Sequence, residues 1–159
     1  MKKLLLLLIP ILISCERVEL QDPLQEWEVE TIQIDHKVAQ KILDKINIHR
    51  ASINLTPLIM ESGLTAHLAA QHCNYMIHQG RISHDNFADR ARILSNYGAE
   101  AVGENVAFGY TSAHEVVNAW LLSSTHKDVL EGNYTHIGVG ATPDEYGDLY
   151  FCAILIRNN

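Results

Sequence analysis

Near its C-terminal end the chain carries LYFCAILIR at 149–157, a run with one charge, at its far end. It is apolar enough to be the central strand of a sheet. A second strand precedes it at Ile137–Ala141, joined to it by the polar turn PDEYGD. Most of the chain before these two reads as helix. Val38, Ile42, Leu43 and Ile46 follow helical spacing over His36–Ile53, and Thr56-Pro57 ends that pattern. A second helix is expected over Ser62–Gln79, with Leu64, Leu68, Ala69, Cys73, Met76 and Ile77 inward and Gly80 as its stop. A shorter amphipathic helix covers Phe87–Tyr97, with Gly98 at the C′ position. Ala101–Gly109 is a strand or an extended loop, and Ser112–Leu122 is a helix with Val116, Val117, Trp120 and Leu121 inward. Helices first and strands last make an α+β layout, helices packed on an antiparallel sheet.

The N-terminal end belongs to a different class of segment. Lys2 and Lys3 precede an apolar run from Leu4 to Ile13, interrupted only by Pro10. That is too short for a bilayer span, which needs about 20 residues, and it suits the h-region of an export signal. Leu12-Ile13-Ser14-Cys15 resembles a bacterial lipobox, which implies cleavage before Cys15 and acyl chains on its sulfur and new amino group. The alternative is an ordinary secretory signal in which Cys15 is incidental. Acyl chains contribute about 0.8 kcal/mol per buried methylene, so several chains anchor stably. The expected organisation is a signal at 1–14, a lipidated Cys15 with a tether to residue 35, and a domain over 36–159. The expected location is the cell envelope, outside the cytoplasm and held at a membrane through Cys15.

Charge follows the same division. The chain carries a net −7, and the tether holds seven acids against Arg17. A flexible segment of 20 residues reaches about 25 Å, further when like charges repel. It would hold the domain off the membrane, unless Trp27 and Ile32 pack on the domain instead. With no basic patch, nucleic acid is not an expected partner. After lipidation, Cys73 and Cys152 remain. Outside the cytoplasm such a pair can form a disulfide. Their apolar settings, AAQHCNYM and YFCAIL, favour two buried thiols.

Three polar runs punctuate the domain: SHDNF at 83–87, GEN at 103–105, and SSTH at 123–126 followed by YTHIGVG at 134–140. They bring His84, Glu104 and His126, two imidazoles and a carboxylate, which are the donors a divalent metal site needs. In order and spacing these runs resemble the bacterial branch of the CAP superfamily, the cysteine-rich secretory, antigen 5 and pathogenesis-related proteins. Asn47-Ile-His-Arg50, Pro57-Leu58 and Trp120 are similar to further family positions, and the resemblance spans about residues 40–157. It implies a three-layer α-β-α sandwich with Glu104 beside the two histidines. The donor set suits zinc as a cofactor, and the expected cleft is lined by His84, Glu104, His126 and Ser123, with His136, next to a strand of alternating pattern, as a further candidate. Where eukaryotic members place a second Glu, three residues after the Trp, this chain has Ser123.

Other patterns carry less. His114-Glu115-Val-Val-Asn118 starts like a zincin helix, but Asn118 stands where the second histidine belongs. Ser112 and Glu115 form a capping-box pattern, which accounts for Glu115 without a function. His49, His67, His72 and His78 fall on helices, where surface or hydrogen-bonded positions are the default. There is no nucleophile elbow, phosphate loop, dinucleotide fingerprint or CxxC pair. The functional expectation is binding of a small apolar ligand, an envelope component or a partner protein. The alternatives are a metal-dependent hydrolase using the same cleft and a structural surface protein with a vestigial one.

Overall fold

The computed structural model describes residues 35–158; the export signal, Cys15, Trp27 and Ile32 lie outside them. The elements run α1 (His36–Ser52), β1 (Ile59–Met60), α2 (Leu64–Gln79), α3 (Phe87–Asn96), β2 (Ala99–Phe108), α4 (Ala113–Leu122), α5 (Ser124–Leu130), β3 (His136–Pro143) and β4 (Leu149–Asn158). Side chains near the helix starts set the boundaries. Asp35 Oδ1 accepts from the Lys37 and Val38 amides at 2.9 and 3.0 Å, satisfying two donors that the first turn of α1 leaves unpaired. Gly63 has no side chain with which to cap α2, and Glu61 serves instead, accepting from the Gly63 and Thr65 amides at 2.7 and 2.5 Å. Gly80 ends α2 in the left-handed region at φ 63°, as its position predicts. At α4 the Ser112 hydroxyl accepts from the Glu115 amide. Glu115 reaches one residue beyond a capping box, to the amide and hydroxyl of Thr111.

The sheet order is β1-β3-β4-β2. β4 pairs antiparallel with both neighbours, and its successive side chains enter two separate cores. Phe151, Ala153 and Leu155 pack with Ile42 and Ile46 of α1, Trp120 of α4 and Leu130 of α5. Tyr150, Cys152, Ile154 and Ile156 pack with Leu68, Cys73 and Met76 of α2 and Leu94 of α3. This is the expected three-layer sandwich. Burying each large apolar side chain contributes about 1.5–3 kcal/mol, which makes the doubly covered β4 the main stabilising strand. Gly138 and Gly140 let α2 approach β3: a Cβ at either would collide with the backbone nitrogens of Ala66 and Ala70.

Two elements and one pairing direction differ from expectation. β1 lies parallel to β3, with Ile59 opposite His136 and Met60 opposite Ile137, so the sheet is mixed rather than purely antiparallel. The chain passes along β3 for two residues before turning into α2, held by bonds from the Ile59 and Glu61 amides to the Thr135 and Ile137 carbonyls. α5 is an additional helix between α4 and β3. The side chains of α1 secure both additions. Asn47 clasps Leu58 through its amide nitrogen and oxygen, at 2.9 and 2.8 Å. Arg50 is buried and donates to the carbonyls of Thr56, Leu130 and Gly132, satisfying acceptors that the end of α5 leaves open.

Candidate functional site

β2 is an edge strand, and alternation sends its neighbouring side chains to opposite faces. Glu104, opposite Ile154, points to the α2/α3 layer; Asn105, opposite Ala153, points to the α4/α5 layer. Each reaches a segment that carries one of the two expected histidines.

On the α2/α3 side the Glu104 carboxylate is almost fully buried. Arg90 of α3 grips it with two nitrogens: Nε donates to Oε2 at 2.8 Å and Nη2 to Oε1 at 2.9 Å. Paired, planar contact of this kind suits a guanidinium on a carboxylate. His84 Nδ1 donates to Oε1 at 2.9 Å. His72 of α2 places Nε2 within 3.9 Å of the same oxygen while donating to the Ser83 carbonyl at 2.7 Å. Burial would raise the Glu104 pKa, but the His84 hydrogen bond and the Arg90 and His72 charges outweigh it and hold the carboxylate below its usual range. Arg90 also donates to the Asp85 carbonyl, and Tyr75 and Arg81 bond the Asp85 carboxylate, so the loop bearing His84 is pinned from both helices.

On the α4/α5 side the bonds are between neutral groups. Asn105 Nδ2 donates to the His126 carbonyl at 2.9 Å. His126 Nδ1 lies 2.8 Å from the Ser123 hydroxyl. Trp120 Nε1 donates to the Val106 carbonyl, fixing α4 to the same strand. Burial, and secondarily the charge of His84, lower the His126 pKa, so the two imidazoles lie within electrostatic range of each other.

The structure therefore brings His84 and Glu104 into direct contact and sets His126 and Ser123 as a bonded pair across β2. His136 stands apart at the start of β3, bonded to the Thr135 hydroxyl and acting on the charge of Glu61. Glu104 stands behind His84, with both oxygens engaged by Arg90. Among the described residues no three His, Cys, Asp or Glu side chains converge closely enough to hold a metal ion. What remains is two imidazoles, each occupied at Nδ1 and each with Nε2 free of a protein partner among the described residues. Imidazole nitrogens are donors that suit a divalent ion, and the Glu104 bond to Nδ1 orients the His84 ring from behind. Cys73 and Cys152 are both free and buried. Burial pushes the Cys73 thiol up to about 12 and the Cys152 thiol well above its ordinary value, so neither is an activated nucleophile.

Reading the sequence did not single out Arg90, His72 or Asn105. Arg90 had one usable signal: it lies four residues before Leu94, on the only buried stripe of α3. His72 had a similar one, one residue before Cys73 on a helix whose small and apolar residues cover most of its circumference.

Known proteins share this architecture. The profile of the Cysteine-rich secretory protein family, CAP, matches residues 43–155. The uncharacterized protein YkwD of Bacillus subtilis (strain 168) is 31% identical over 109 residues, covering 64% of this chain and 41% of that protein. The uncharacterized membrane protein YlbC of the same organism is 31% identical over 113 residues, covering 67% of this chain and 32% of its own length. The chain thus spans less than half the length of either relative. An extracellular protein of Bacillus anthracis str. Ames containing a SCP domain superposes with a TM-score of 0.67 at 28% identity, over 77% of this chain and 41% of that one. An outer surface protein of Borrelia burgdorferi superposes with a TM-score of 0.66 at 21% identity, over 76% of this chain and 92% of that one. With the family profile covering most of the domain, and with helix layers on both faces of a four-stranded sheet, the chain belongs to the CAP family of cysteine-rich secretory proteins.

Proposed function

We propose that this CAP domain is a binding module of the bacterial cell envelope, held outside the cytoplasm by acyl chains on Cys15, with a cleft built on the Nε2 atoms of His84 and His126. One observation carries the reading. Both imidazoles are bonded at Nδ1, His84 to Glu104 and His126 to Ser123, and each leaves Nε2 without a partner among the described residues. A carboxylate only accepts, so His84 Nδ1 carries a proton and Nε2 keeps its lone pair. Zinc at these nitrogens would supply an open coordination position for a ligand. Ile82 and Leu122, two residues before His84 and one before Ser123 in the chain, are exposed large apolar side chains on the segments that carry the site. That supports a small apolar ligand, an envelope component or the apolar surface of a partner protein. The extracellular protein of Bacillus anthracis and the outer surface protein of Borrelia burgdorferi support the location.

Hydrolysis is the weaker reading because Glu104 is a poor proton acceptor. Both of its oxygens are taken, and its cationic neighbours hold its pKa low, whereas a general base works best with a pKa near the operating pH. The test is thermal melting with and without zinc at pH 7.5 and 5.5. At 100 times the dissociation constant, zinc should stabilise by about 2.7 kcal/mol. The gain should fade at pH 5.5, because protonated imidazole does not ligate. His84→Ala and His126→Ala should each remove most of it, and His49→Ala none. An equal zinc effect in wild type and the His84→Ala/His126→Ala double variant would remove the metal from the proposal. Fatty-acid labelling that survives Cys15→Ala would remove the anchor.

A further inference from the structure

Two buried side chains stand directly behind the histidine-bearing segments, one on each face of β2. On the α2/α3 face, His72 donates its Nε2 proton to the carbonyl of Ser83, the residue preceding His84. On the α4/α5 face, Asn105 donates its Nδ2 proton to the carbonyl of His126 itself. His72 is 2% exposed and Asn105 0%. Each leaves its other polar atom, His72 Nδ1 and Asn105 Oδ1, buried without a partner among the described residues. A carbonyl only accepts, so His72 must carry its proton on Nε2, which makes Nδ1 a bare acceptor in the core. Burial, the largest influence on His72, lowers its pKa and so disfavours the doubly protonated ring.

Unsatisfied buried acceptors destabilise a fold, and native proteins keep few of them. An apolar side chain of similar size at either position would strand no acceptor of its own; it would leave the Ser83 or His126 carbonyl without this donor, but both of those residues are only half-buried. What an apolar replacement cannot do is hold the main chain of the two imidazoles. We propose that His72 and Asn105 are positioning residues for the two-imidazole site. Each fixes the backbone of one histidine segment through a single N–H to a carbonyl, at the expense of a stranded acceptor. The proposal rests on the reading of His84 and His126 as a paired binding site, and goes beyond it by assigning residues that touch neither ring's Nε2.

A merely structural side chain and a positioning one respond differently to apolar replacement. The full chain, solubilised in detergent, is compared as wild type, His72→Leu, Asn105→Leu, Asn105→Asp and His72→Gln. Three readouts are taken: melting temperature, zinc affinity by titration with zinc alone, and amide hydrogen exchange of segments 81–86 and 124–130 in the absence of metal. Both Leu variants should melt within about 3 °C of wild type, because the lost bond is offset by removal of the stranded acceptor. Their zinc affinity should fall about tenfold or more, as for other groups that orient metal ligands. Exchange should accelerate in 81–86 for His72→Leu and in 124–130 for Asn105→Leu. Asn105→Asp, which lacks the N–H, should match the Leu variant in affinity and exchange but melt lower, because it buries an unpaired carboxyl group. His72→Gln, which keeps an N–H near the position of Nε2, should retain affinity within about threefold. Affinity within twofold of wild type in both Leu variants, with unchanged exchange, overturns the proposal. So does a melting loss above about 10 °C in both, which would make them core-stabilising groups. If wild type binds no zinc, the reading of the site as a metal centre fails, while the exchange experiment still decides the positioning roles.

Discussion

The two faces of β2 hold their histidines by different physics. On the α2/α3 face, His84 is fixed through a buried ion pair, Glu104 with Arg90, with His72 beside it. On the α4/α5 face, His126 is fixed by a hydroxyl and a carboxamide. A buried charge without its partner is far more costly than a neutral group without its hydrogen bond. The first face should therefore be rigid but intolerant of substitution, and the second tolerant but dependent on exact side-chain geometry. One dipeptide, Glu104-Asn105, serves both.

The largest effect should come from breaking the ion pair. Arg90→Met leaves the Glu104 carboxylate buried with imidazoles and the Cys152 thiol beside it but no guanidinium, and should cost about 3–5 kcal/mol in urea unfolding. Arg90→Met/Glu104→Leu, which removes both charges, should recover most of that loss. A double variant as unstable as Arg90→Met would mean that the pair matters for its shape rather than its charge.

A smaller effect separates the faces by pH. In the folded domain, His72 and His126 sit below their ordinary 6.5, while Glu104 sits below its ordinary 4.5. The unfolded chain protonates its histidines near the ordinary value and the folded one resists. Stability is therefore lost as pH falls below 6.5 toward the folded values. The depressed carboxylate contributes fully above 4.5 and is lost as pH falls through its folded value. His126→Phe should flatten part of the first limb, with His72 supplying the rest, and Glu104→Gln should flatten the second. Urea unfolding measured across this range checks both; a first limb unaffected by His126→Phe would place that ring in ordinary solvent.

The same contrast explains what could be read from residues alone. β4 was legible because its side chains are apolar on both faces, and α1, α2 and α4 because their apolar residues repeat at helical spacing. β1 was not, since its register with His136 depends on residues 77 positions away and two residues carry no periodicity. α5 was not, because STHKDVL has no apolar stripe of its own; Arg50, Asn105 and the His49–Glu131 pair hold it from outside. Within the site, His84, Glu104 and His126 stood out as polar residues in short motifs. Arg90 did not, because a charged residue on a helix reads as solvated until its carboxylate partner is found 14 positions away, across the fold.

The smallest expected effect on stability lies on the neutral face, at Ser123. This residue occupies the N-cap position of α5, with φ −95° and ψ 120°, yet its side chain bonds no helix amide. Its hydroxyl is turned to His126 Nδ1 instead. A serine that caps a helix typically contributes about 1 kcal/mol, and Ser123 forgoes that contribution. Ser123→Ala should therefore cost under about 0.5 kcal/mol in urea unfolding, the range of an ordinary surface substitution. Its consequence should appear at the ring. With no hydroxyl bonded to Nδ1, the ring loses the contact that holds its orientation, and zinc affinity should fall by up to about tenfold. Ser123→Thr, which keeps the hydroxyl, should restore it. The same assay applied to Glu104→Gln should show stability and affinity falling together, because there the group that orients the ring also neutralises a buried guanidinium. A loss of several degrees in the melting temperature of Ser123→Ala would show that the hydroxyl caps α5 in solution, and the distinction between a face held by charge and one held by neutral bonds would lose its clearest instance.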